Sequence, residues 1–106
     1  MAEYPTEEEL DRVKNWLVLA TGVLSLIDFV KSIWWSPDWG FKVKNGRNTF
    51  REQVLRWELH TGGWSGNEDI MSALQSNFIF WTLCWVQSRR GGHYLFEVER
   101  NFQKRG

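Results

Sequence analysis

The run Leu59 to Glu97, LHTGGWSGNEDIMSALQSNFIFWTLCWVQSRRGGHYLFE, changes its periodicity several times, and those changes decide the fold. Leading into it, Leu55, Trp57 and Leu59 alternate with Arg56, Glu58 and His60, the two-residue period of a strand with one buried face. Gly62, Gly63 and Gly66 then crowd the loop from Thr61 to Asn67, too many for a regular element. Ser65 followed by Glu68 has the spacing of a capping box, with Asn67 as a rival cap. Ile70, Met71 and Leu74 give the short helix behind it a core-facing stripe that ends near Ser76 or Asn77. Phe78 to Val86 is apolar on both faces and rich in rings, which predicts a central strand covered on both sides. Arg89, Arg90, Gly91 and Gly92 make a turn, and His93 to Arg100 alternates again as the second arm of a hairpin.

Towards the N-terminus, Thr6 and Glu9 form a capping box behind Pro5, so a helix is expected from about Glu7 to Trp16. Gly22 interrupts the pattern. With Thr21 as cap, a second helix presents Val23, Leu26, Ile27, Val30, Ile33 and Trp34 along one stripe. Ser36 to Gly40, SPDWG, stops it, because a residue before proline avoids the helical region. Phe41 to Lys44 then reads as a short edge strand leading to a turn at Asn45-Gly46, and Arg47 to Gln53 as loop or hairpin return. Asn101 to Gly106 reads as a frayed tail. The expected fold is therefore α+β, one domain spanning 1–106: two N-terminal helices and one short helix on a small, mainly antiparallel sheet of three to four strands with a C-terminal hairpin. Alternation places Trp57, Trp81, Leu83, Trp85, Tyr94 and Phe96 on one face, and Arg56, His60, Thr82, Cys84, His93 and Glu97 on the other.

Eight tryptophans in 106 residues supply most of a core by themselves, since each buries a large area. The three at one turn, Trp34, Trp35 and Trp39 around Pro37, fit either a plug between helix and sheet or a protein-binding surface. The formal net charge of zero argues against a nucleic-acid polymer as partner. Charge is nonetheless uneven: Glu3, Glu7, Glu8, Glu9 and Asp11 at one end, Arg89, Arg90, Arg100, Lys104 and Arg105 at the other. A lone Cys84 excludes an internal disulfide and suits a reducing compartment. The longest apolar stretch, Trp16 to Val30, is interrupted and too short to span a bilayer, so no membrane is expected and the location read from the sequence is the cytosol. Homo-oligomerisation is compatible with all of this.

Three blocks carry a resemblance: LHTGGWSGNE at 59 to 68, FWTLCW at 80 to 85 and SRRGGHY at 88 to 94. Together with the acidic EEEL run and the WSPDWG turn, they resemble a family of small proteins encoded by bacteriophages and bacteria, one with no assigned activity. The resemblance implies a phage or prophage source, which would make the cytosol that of a bacterial host, and an accessory role directed at host proteins or host defence; it carries over no catalytic residue.

The residues themselves point first to an anion site. A strand entering a glycine-rich loop and then a helix N-terminus offers backbone amides and a positive helix end. Gly62, Gly63, Trp64, Ser65 and Asn67 would form that cradle, Arg89 and Arg90 a clamp, and His93 a further donor. Trp64, Tyr94 or Trp39 could stack on a base. No lysine follows the last glycine and GxGxxG is absent, so this is neither a P-loop nor a dinucleotide fingerprint, and Glu68 repels an anion. The plainer reading stands beside it: glycines as turn geometry and arginines as a solvated hairpin tip. A ligand site of this kind requires the strands near 54–60 and 78–86 to run in the same direction, so that both loops share one end of the sheet. Non-enzymatic binding of an anionic or nucleotide-like small molecule is the favoured function, with no cofactor. A protein-directed inhibitor is the second reading. A metal-free phosphodiesterase using His60 and His93, with Glu58 beside His60, is the third. One cysteine and two distant histidines have no metal-ligand spacing.

Overall fold

The computed structural model describes residues 4–103. Four antiparallel strands, β1 (Phe41–Arg47), β2 (Gln53–His60), β3 (Trp85–Arg89) and β4 (His93–Glu99), lie in the order β1-β2-β4-β3. Five helices, α1 (Glu7–Lys14), α2 (Val18–Thr21), α3 (Val23–Ile33), α4 (Ser65–Ser76) and α5 (Phe78–Cys84), and a 3-10 turn at Arg100–Phe102 complete the described chain. The expected α+β architecture is present, with a C-terminal hairpin and a four-stranded sheet.

The Thr6 capping box forms as expected: its hydroxyl accepts from Glu9 N at 3.1 Å and the Glu9 carboxylate accepts from Thr6 N at 2.9 Å. Thr21 does not cap the next helix. It ends α2, donating its hydroxyl to Leu17 O, and α3 begins after Gly22, whose φ of 81° no other residue adopts cheaply. The Asn45-Gly46 turn is also corrected. β1 runs on to Arg47, because the bare Gly46 leaves room for the Arg56 side chain to lie across it and donate to Arg47 O at 2.9 Å. The reversal comes later, where the Asn48 carboxamide oxygen accepts from Phe50 N and Glu52 N.

The largest correction concerns Phe78 to Val86, which is not one central strand. Phe78–Cys84 is helix and only Trp85–Arg89 is strand, at the sheet edge. Asn77 decides it: the side-chain oxygen accepts from Phe80 N, the amide group donates to Val13 O and Trp16 O, and the buried residue starts a new helix while pinning it to α1. A uniformly apolar run has no period to read, so helix and strand look alike in it. Trp81, Thr82 and Leu83 therefore leave the sheet, and Cys84, expected on the charged face, is buried in the core, its thiol pushed by burial to about 12. The expected capping box at Ser65 is absent as well. α4 starts at Ser65 itself, and the Ser65 hydroxyl contacts the Tyr4 hydroxyl at 3.3 Å.

Trp57 is fully buried at the centre of the core, its ring centroid 5.5 to 5.8 Å from those of Phe41, Phe80 and Phe96. Val23, Leu26 and Val30 of α3 and Ile70 and Leu74 of α4 close the same cluster. Phe102 packs against it too, so the chain stays ordered beyond β4 where a frayed tail was expected; residues 104–106 of that tail lie outside the described residues. The opposite sheet face is open and polar, carrying Lys42, Lys44, Arg56, Glu58, Glu97 and the two histidines.

Candidate functional site

β2 and β3 both pair antiparallel with β4, so they run in the same direction. The loop after His60 and the turn after Arg89 therefore share one end of the sheet, although the strands are separated by β4 rather than adjacent. Thr61 N donates to Gly92 O at 2.9 Å and ties loop to turn. A side chain at Gly92 would overlap the buried Thr61 hydroxyl, so glycine is what allows this approach.

One row of residues crosses the open face there. His60 N donates to Gly40 O, His60 pairs with His93, and His93 pairs with Arg89. The two imidazoles touch through their Nδ1 atoms, at a centroid separation of 4.5 Å. One Nδ1 must donate and the other accept, so the pair holds one bridging proton in its bonded form. Trp39, 57% exposed, flanks His60 at 6.4 Å between rings, and its edge occupies the space that a side chain at Gly62 would need. Beside this row lies a shallow groove of about 430 Å³, lined by Arg56, Glu58, His60, Gln87, Arg89, His93, Tyr94 and Leu95.

Among the described residues two ion pairs form, Lys44–Glu58 at 3.0 Å and Arg56–Glu97 at 3.5 Å, both on this face. They leave Arg89 and Arg90 as a cationic remainder at the hairpin end of the site, while the charge of Lys42 acts on the Glu58 carboxylate. The hydrogen bond from Lys44 holds the Glu58 carboxyl below its ordinary value, against its partial burial. Burial, then the charge of His93, pushes His60 below its ordinary value of 6.5, with Glu58 opposing. The unfolded chain therefore binds more protons than the folded one just below pH 6.5, and stability present above that pH is lost as pH falls. Thermal denaturation between about pH 7.5 and about pH 5.5, above the range where Glu58 titrates, is expected to show a falling melting temperature in the wild type and a flatter profile in His60→Gln. An equal slope in both would remove His60 as the cause.

The other sequence candidates are distributed differently. Asn67 is buried and committed to structure: its oxygen accepts from Trp35 N at 2.9 Å and its amide group donates to Trp35 O and Thr61 O. Trp64 is sandwiched between Tyr4 and Trp35, at 5.2 and 5.4 Å, and covers Gly66. Tyr94 stands on the helix side of the sheet, edge-on to Trp81. Gly62 and Gly63 keep positive φ at the loop tip, and Arg90 lies in the turn. What converges is thus Trp39, His60, His93 and Arg89, with Gly62 beneath Trp39. Gln87 and Lys42 on the same face were missed: reading Phe78 to Val86 as one strand obscures where β3 begins, and that β1 lies beside β2, setting Lys42 opposite Glu58, is a matter of strand order. Among the described residues no three His, Cys, Asp or Glu side chains converge as a metal-binding set. No described helix is long and apolar enough to cross a membrane.

Compared with family models, curated proteins and solved structures, the chain gives no match.

Proposed function

We propose that this is a non-enzymatic accessory protein of the phage type its sequence resembles, binding an anionic, nucleotide-like small molecule at the end of its sheet. The observation that carries the reading is the row His60, His93, Arg89 brought beside the Thr61 to Trp64 loop by strands running in the same direction. Arg89 supplies a permanent charge and a planar fork suited to phosphate oxygens. Trp39 offers an exposed ring for a base, across the strands from Arg89, and neighbouring strands lie about 4.8 Å apart, so the span suits a molecule with an anionic head and an aromatic end.

The phosphodiesterase reading uses the same two histidines. Their direct Nδ1 contact supports binding instead, since an acid and base acting on opposite sides of a phosphorus must stand apart to admit it.

Thermal shift against nucleotides and inorganic phosphate tests the proposal. Ligand at about ten times its Kd adds about 1.4 kcal/mol, a rise of about 5–10 °C for a chain of this size. The Arg89→Ala, Arg90→Ala double variant is expected to lose about tenfold or more in affinity, since each charge-assisted contact contributes about 1.5–3 kcal/mol. No shift with any nucleotide or phosphate, or an unchanged shift in the double variant, overturns the reading; turnover of the ligand, lost in His60→Ala and His93→Ala, would establish catalysis instead.

A further inference from the structure

We propose that the face formed by α5 and β3 is where a second copy of this chain docks, giving a two-fold dimer. No charged residue occurs between Asp69 and Arg89, and that uncharged run includes α5 and almost all of β3. Phe80 and Cys84 point from α5 into the core. The outward side of the same helix carries Phe78, 76% exposed, with Ile79, Thr82 and Leu83. Trp85 and Val86 continue the patch onto β3, whose side chains are all exposed and whose outer edge has no strand beside it.

The two sheet edges are treated differently. β1, the other edge, carries Lys42, Lys44 and Arg47, the charged side chains that discourage edge-to-edge association. β3 has only Arg89, at its far end and on the open face.

Area and symmetry favour a copy of the chain as occupant. Phe78, Ile79, Leu83, Trp85 and Val86, at 76, 42, 38, 44 and 40% exposure, leave an apolar patch on the order of 450 Å². Leu19, 57% exposed on α2, which packs against α5, raises it to on the order of 550 Å². Two copies together then bury on the order of 900–1,100 Å², at the threshold for a specific interface. A two-fold contact sets a patch against itself, and an uncharged apolar patch is self-complementary without further matching. Zero net charge adds no long-range repulsion between copies.

Sedimentation equilibrium of the full chain from about 10 to about 200 µM tests this, the micromolar range being that of small interfaces. The wild type is expected to show a reversible monomer–dimer equilibrium, and Leu83→Glu to shift it at least tenfold towards monomer. Thr82→Lys tests the same face without removing apolar packing, so its effect does not depend on a core change; far-UV circular dichroism verifies that both variants fold. Lys44→Glu, on the opposite edge, is expected to leave the equilibrium unchanged. A wild type that stays monomeric throughout, or a dimer that both α5 variants leave intact, overturns the proposal and assigns the patch to a different partner.

Discussion

Asn77→Ala is expected to lower the unfolding free energy by about 2–4 kcal/mol, read from urea denaturation at neutral pH. The residue is 4% exposed and its carboxamide serves three backbone groups in two elements: it accepts from Phe80 N in the first turn of α5 and donates to Val13 O and Trp16 O at the end of α1. Alanine removes the cap, worth about 1 kcal/mol, and two further hydrogen bonds at about 0.5–1.5 kcal/mol each, while Val13 O and Trp16 O keep the backbone donors Trp16 N and Val18 N. Asn77→Asp separates the contributions. It keeps the cap acceptor but sets an oxygen against Val13 O and Trp16 O, so a loss close to that of alanine would assign the energy to the two carbonyls. A loss below about 1 kcal/mol in Asn77→Ala would mean that solvent or relaxation replaces these bonds, and that Asn77 does not decide the helix.

Gly92→Ala is expected to cost about 3 kcal/mol or more, while Gly63→Ala, in the loop that faces the same turn, costs about 1–2 kcal/mol. Both glycines have positive φ, 78° and 74°, so both substitutions carry the same left-handed strain. Around Gly63 a new methyl group meets nothing, whereas at Gly92 it overlaps the hydroxyl of Thr61, which is 1% exposed and cannot swing away. The clash also pushes apart the pairing of Thr61 N with Gly92 O, and with it the end of β4 that holds His93 against His60. Thr61→Ala in the same chain removes the hydroxyl and should restore part of the loss, a coupling that a double-mutant cycle measures directly. If Gly92→Ala and Gly63→Ala cost the same, backbone strain alone governs the turn and the close approach has no energetic weight.

Much of this architecture was legible where local chemistry is decisive. Thr6 and Glu9 name a helix start because two short side chains close on each other's backbone, and Leu55, Trp57 and Leu59 name a strand because only one face of β2 is buried. Phe78 to Cys84 was not legible, since its outward residues are as apolar as its inward ones and the determinant is a long-range bond from Asn77 to Val13 O. The site was legible in part for the same reason. Gly62, Gly92, Arg89 and the histidines could be chosen as loop-end candidates, but that His60 stands opposite His93, and that Trp64 and Asn67 turn away to hold Trp35, are consequences of strand order and loop packing that no local pattern encodes.

The strand order has a consequence for how the chain is made. β4 is the last strand in sequence yet lies inside the sheet, between β2 and β3, so β1–β2 and β3–β4 are two local hairpins that meet only when Val54 comes opposite Glu99. On a ribosome, Trp57 and Leu59 emerge long before Phe96 and Tyr94, their partners across the seam, have left the exit tunnel. The ring cluster at the centre cannot close until β4 has emerged, and the first hairpin must wait with its apolar face uncovered or be shielded by a chaperone. Joining two preformed hairpins across so much intervening chain is the loop-closure step expected to limit the folding rate.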